Sequence, residues 1–202
     1  QLSKKEGTVD KRSGLLSSWL EALEGDLFQE SDAIKTHIES FATLSFTDGS
    51  NILIDASTTA VIRKSRIDRL NESSDTEITL VEGGLLSKLS TVGREKSNYI
   101  LNAGASTTEL KTQNFYAENS GGDNVKLTNY DGNASVTAND ITITINKNEG
   151  TIIRGNNAPL PPIKLLAAPE LQSVKRDTII YADNFIYAFK AVPKATKYHI
   201  QS

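Results

Sequence analysis

The chain has 202 residues, 38% hydrophobic and 23% charged, with 22 basic against 25 acidic side chains for a net charge of -3. This is the composition of a soluble globular protein of one or two domains. No Lys/Arg cluster is long enough to track a phosphate backbone, which argues against a nucleic-acid partner. No apolar run approaches the roughly 20 residues that cross a bilayer. Cysteine is absent, so disulfides, thiolate metal sites and cysteine nucleophiles are excluded together. Methionine is absent too, and Gln1 begins without a signal-like apolar segment, so the sequence reads as a processed or excised portion of something longer.

Near the start, Leu15, Leu16, Trp19, Leu20 and Leu23 recur at spacings of three and four, which predicts a short helix. The period then becomes two, the signature of half-buried antiparallel strands, over 43–46, 51–55, 59–64, 77–81, 99–102, 108–112, 124–128 and 140–146. Turn formers separate these runs: Asp48-Gly49, Gly83-Gly84, Gly121-Gly122-Asp123, Asp131-Gly132 and Glu149-Gly150. The stretches 77–91 and 124–138 share a strand, a glycine turn and a returning strand, which suits stacked β-hairpins or coils over a common apolar face. From Asn156 the texture changes; Pro159, Pro161, Pro162 and Pro169 mark a linker over 156–170. Beyond it, 178–181, 185–190 and 197–200 read as three further strands, too few for an independent sandwich. The fold class is all-β, a twisted β-solenoid or stacked antiparallel hairpins over 1–155, with a partial sandwich-like segment over 171–202.

Chemistry has few candidates. His37 and His199 are the only imidazoles and neither sits in a metal-type pair, so an exposed or turn-edge role is the commoner explanation. Gly104-Ala105-Ser106 begins like a nucleophile elbow, but position 108 is Thr rather than Gly. The oxygen-rich stretch 129–133 lacks the ligand order of a calcium loop, and a hairpin turn explains it more simply. Glu24-Gly25-Asp26 and Asp32 offer carboxylates whose convergence no spacing demonstrates, and solvated turn residues are the default. The run Arg63, Lys64, Arg66 and Arg69 around Asp68 is suited to an acidic partner, or to guarding an edge strand. Trp19, Tyr99, Tyr116 and Tyr130 would stack on sugar rings if they shared a face; burial is the ordinary alternative. No metal or cofactor is expected.

The order of motifs is specific. Residues 19–26 (WLEALEGD), then Ser31-Asp32-Ala33-Ile34-Lys35-Thr36, then the run 42–50 (ATLSFTDGS) and Ile52-Leu53-Ile54 resemble the opening of a FecR-type domain. Lys35 stands where that pattern usually has Arg. The resemblance continues through 80–89 and 125–136 and covers about positions 15 to 155. At 110–116 it weakens, because the expected Arg-Gly-Thr is Leu110-Lys111-Thr112 here. The segment 161–171 resembles the exit toward a fibronectin III-like or Ig-like repeat, and 189–198 the middle of one.

The resemblance implies a non-catalytic domain of a bacterial envelope protein, in the periplasm or otherwise outside the cytoplasmic membrane. FecR itself passes a signal from an outer-membrane transporter to a cytoplasmic σ factor, while other members join the domain to peptidoglycan-binding or Ig-like modules. The expected partners are envelope proteins, with peptidoglycan or polysaccharide as the alternative. At Asp48, Gly49 and Ser50 the expectation is a hairpin tip whose polar side chains bond their own backbone while Leu44, Phe46, Ile52 and Ile54 face the core.

Overall fold

The structure, a computed structural model, describes residues 1–14, 18–91, 96–121, 124–170, 172 and 188–195. The chain divides into two units, Gln1–Lys164 and Leu165–Ser202. The described strands of the first unit are, in order, β1 (Leu2–Glu6), β2 (Val9–Arg12), β3 (Leu20–Glu21), β4 (Ala33–Thr36), β5 (Phe41–Ser45), β6 (Asn51–Ile54), β7 (Thr59–Asp68) and β8 (Ser73–Lys88). They continue with β9 (Asn98–Ala103), β10 (Ser106–Lys111), β11 (Asn114–Asn119), β12 (Asn124–Asn129), β13 (Asn133–Ala138), β14 (Ile141–Asn146), β15 (Glu149–Arg154) and β16 (Ile163–Lys164).

These strands form two sheets that share β8. The first runs β1-β5-β6-β8-β11-β12-β15-β16 and the second β3-β2-β4-β7-β8-β9-β10-β13-β14. Every described pairing is antiparallel except β8 with β9, which run parallel from Asp75↔Asn98 to Leu80↔Ala103. After β8 the chain alternates: β9-β10 is a hairpin of the second sheet, β11-β12 of the first, β13-β14 of the second again. The period-two pattern dictates this. In β5, β6 and β9 to β13 every second side chain is buried, as in Phe115, Ala117 and Asn119 of β11 or Leu44 and Ala42 of β5, and the two inward sets merge into one core.

The fold is therefore all-β and built of stacked hairpins, as the alternation predicts, but three turns fall elsewhere. Gly83-Gly84 is no hairpin; it lies inside the 16-residue β8, whose N-terminal half belongs to the second sheet and C-terminal half to the first. Glycine is needed there because φ at Gly83 is +90° and a Cβ would sit 2.5 Å from the Thr58 Cα. The stretch 124–138 is likewise not a hairpin, since β12 and β13 lie in different sheets and Asp131-Gly132 is the arch between them. Gly150 is inside β15, and the bend precedes it at Lys147-Asn148, where Asn148 takes φ +59°.

The predicted helix also fails where it is described. Residues 18–23 contain the short strand β3, with Leu20 60% and Leu23 58% exposed, so their spacing does not mark a buried helical face; positions 15–17 lie outside the described residues. The first unit includes the early Pro-rich segment, because Leu160 donates its amide to Ile152 (3.0 Å) and β16 pairs with β15. In the second unit, the expected strands at 178–181 and 197–200 lie outside the described residues, as does 185–187 of the expected strand at 185–190; Gln172 and Lys190 donate backbone bonds to Ala188 and Glu170.

Candidate functional site

The tip between β5 and β6 is a polar knot. The Phe46 amide donates to the Ser50 carbonyl (2.8 Å), and Gly49 returns a bond to Phe46 (3.1 Å) with its φ at +88°. Asp48 Oδ1 accepts from the Ser50 amide at 2.9 Å and Oδ2 from the Ser50 hydroxyl at 3.1 Å. Leu44, Ile52 and Ile54 are buried and Phe46 packs against them, as expected. The unexpected partner comes from the opposite sheet: the Tyr99 hydroxyl on β9 donates to Asp48 Oδ2, and Ser50 Oγ accepts from the Ser90 amide at 2.9 Å. Burial, followed by the bond to Asp48, pushes the Tyr99 pKa up. The tip thus fastens one sheet to the other.

Asp32, just before β4, instead gathers donors from β2, the residues after it and the preceding loop, on the side of its own sheet. It is 5% exposed and accepts from the amides of Gly14 (3.1 Å) and Gln29 (3.0 Å), with Lys11 Nζ 3.3 Å away. Burial favours its neutral form, but those amides and Lys11 outweigh it and hold the carboxyl below its ordinary pKa. Asp26 is separate: its Oδ2 accepts from the Leu23 amide (3.0 Å), and Gly25, at φ +96°, bonds the Leu2 carbonyl. His37 Nε2 lies 2.8 Å from Asp10 Oδ2, not against either of these carboxylates. Asp26, Asp32 and His37 do not converge, and among the described residues no group of three His, Cys, Asp or Glu is placed to hold a metal.

Two further polar centres carry no signal in the sequence beyond their turn propensity. Asp131, in the arch after β12, accepts from the Thr112 hydroxyl, the Gln113 amide (2.6 Å) and the Asn114 side-chain amide (2.8 Å). Burial pushes its pKa up, yet the bonds from Thr112, Asn114 and Gln113 win and lower it. On the opposite rim, Thr58 Oγ1 accepts from the Gly84 amide (2.9 Å), the Thr58 amide donates to Thr36 Oγ1 (3.0 Å), and Ser57 donates to the His37 carbonyl (2.9 Å). Over this rim Tyr116 donates to Asp55 Oδ2 at 2.8 Å, and burial followed by that carboxylate raises the Tyr116 pKa well above the usual range. The side chain sits where a Cβ on Gly84 would approach within 2.5 Å of its hydroxyl.

The basic run lies on β7 as it projects beyond its neighbours. Strand β4 reaches only to Val61, so from Lys64 to Asp68 the described pairing is with β8 alone. Arg63 is the extra residue of a bulge and donates Nε to Thr79 Oγ1 (3.2 Å). Lys64 pairs with Asp75, and Arg66 forks onto Glu30 at 2.9 and 3.3 Å. Arg69 stands in the exposed turn beside Leu70, which is 96% exposed, while Asp68 holds the turn through the amides of Leu70 and Asn71. The four cations therefore share one projecting hairpin, two of them in ion pairs. The aromatic side chains differ: Tyr99 is buried, Tyr130 is 43% exposed, and Trp19 lies under the Arg12 guanidinium at 4.9 Å.

What the fold and these centres define is an all-β scaffold whose motif residues tie strands and arches together. The chain belongs to the FecR family: the model of the FecR protein family matches residues 32–135, from the buried Asp32 to the middle of β13. That match stops before the segment expected to start a fibronectin III-like or Ig-like repeat. Two crystal structures of a "putative anti-sigma factor" from Parabacteroides distasonis ATCC 8503 share the fold at a TM-score of 0.53 and 13% identity, covering 66% of this chain. The match spans 59% of that protein. No curated protein matches.

Proposed function

We propose that the chain is a non-catalytic protein-contact domain of the bacterial cell envelope, taking part in envelope signalling, and that the projecting β7–β8 hairpin is its contact element. Family membership supports the extracytoplasmic setting, and the anti-sigma description of the structural neighbours supports the signalling role. The observation that carries the contact assignment is the edge of β7 beyond Ile62, whose amide and carbonyl are bonded to Asp32 and Ser31; from Lys64 onward the described strand pairing is with β8 alone, beside an exposed Leu70. An extended segment of a partner protein adds to that edge through main-chain hydrogen bonds, and Arg63, Arg66 and Arg69 select for acidic sequence. By contrast, the side chains of Asp32, Asp48 and Asp131 are committed to internal donors.

The test is capture from envelope extract with the wild-type chain and with Arg63→Glu, Arg66→Glu and Arg69→Glu combined. Loss of a protein partner in the variant, with the circular dichroism spectrum retained, is the expected result. Identical partner sets sink the assignment.

A further inference from the structure

Of the four strands that end the two sheets, three are protected in the ways expected of natural edges. Strand β1 is covered by residues 24–26, through Leu2 N to Asp26 O (2.8 Å), Gly25 N to Leu2 O (2.8 Å) and Lys5 N to Glu24 Oε1 (2.9 Å). Strands β3 and β16 have two residues each. Strand β14 is different. It has six residues, ITITIN, without charge, proline or glycine, and among the described residues it pairs only with β13, in an unbroken register. Its core-facing isoleucines are progressively uncovered toward the hairpin turn: Ile145 is fully buried, Ile143 partly, and Ile141 is 50% exposed.

The backbone groups on its open side follow from the turn. Asn139 and Asp140 take φ of +48° and +58°, a two-residue type I′ turn that makes Ala138 and Ile141 the hydrogen-bonded closing pair. Alternation then points the amides and carbonyls of Thr142, Thr144 and Asn146 away from β13. The Asn146 amide is already taken by Glu149 Oε2 at 2.9 Å. Thr142 and Thr144 are left.

We infer that β14 is a self-association edge, on which a second copy of this chain adds its own β14 antiparallel about a two-fold axis at Ile143. In that register Thr142 faces the second copy's Thr144, so each pair exchanges two main-chain bonds, Ile143 meets Ile143 and Ile141 meets Ile145 on the core side, and threonine meets threonine outside. The charges at the strand's ends select the direction. Asp140 precedes it and Lys147 follows it, both exposed and neither in an ion pair among the described residues. Antiparallel pairing brings each Asp140 beside the other copy's Lys147, whereas parallel pairing sets like charges together. A register displaced toward Asn146 asks for an amide that Glu149 already holds. The interface is small, so the dimer depends on concentration.

Sedimentation equilibrium over a concentration series tests this, with Thr144→Pro as the blocking variant, because its lost amide points away from β13 and leaves the hairpin intact. The wild type is expected to dimerise reversibly and Thr144→Pro to remain monomeric with an unchanged circular dichroism spectrum. Register is read separately, since the chain has no cysteine. Ile143→Cys places two thiols on the axis, about 4.5 Å apart at Cα, within disulfide reach. Ile141→Cys places them about 13 Å apart. Oxidative cross-linking of Ile143→Cys but not Ile141→Cys supports the register. A wild type that stays monomeric throughout, or equal cross-linking of the two variants, overturns the inference. Both measurements use the purified chain alone, so their outcome is independent of the β7 contact.

Discussion

At the scale of single residues, the Asp48-Gly49-Ser50 motif closes a hairpin and also anchors it across the core to Tyr99. The local half of that role is visible in the sequence, because Asp before Gly and Ser between alternating runs specifies a turn. The other half is not, since Tyr99 lies 51 positions away from Asp48 and nothing in its own neighbourhood points back. Tyr99→Phe removes one buried bond to a charged group and is expected to lower stability by about 1.5 to 3 kcal/mol, read from urea denaturation midpoints. Asp48→Ala is expected to cost more, because it also strands the Ser50 amide. Unchanged midpoints in both would show that the tip is not an anchor.

The elements teach a different lesson about legibility. Strand positions followed from period two because burial on alternate sides is a local property, and predicted 51–55 and 124–128 fall on β6 and β12 almost residue for residue. Connections did not follow, because a glycine pair reads alike whether it reverses the chain or lets a strand pass from one sheet to the next. At Gly83 the discriminating partner is Thr58, brought there by a different arch. Gly83→Ala combines a positive φ with a Cβ 2.2 Å from Thr58 Oγ1, and a loss of at least about 2 kcal/mol in thermal or urea unfolding is expected. A hairpin turn at that place would accept Asn there with little loss, so Gly83→Asn is the sharper substitution. The basic residues were legible as a cluster, while Glu30 and Asp75, which pair with Arg66 and Lys64, were not.

For the molecule as a whole, acid is the revealing variable. Asp32 and Asp131 both have folded pKa values below their ordinary ones, and each is wrapped in donors that require the carboxylate. Their contribution to stability is complete above the unfolded value of about 4 and is lost as pH falls through the lower folded values. Melting temperature is therefore expected to hold from neutrality to about pH 5 and to fall steeply below about pH 4. Asp131→Asn should lower it at neutral pH and flatten the acid limb; an acid limb as steep as the wild type's would remove Asp131 from the account. The terminal strands of the first unit, β1 and β16, occupy opposite borders of the same eight-stranded sheet. Tension entering at one and leaving at the other crosses seven strand-to-strand interfaces in series, over about 30 Å. It acts along the hydrogen bonds rather than in shear, so a stretched molecule peels from its borders one strand at a time.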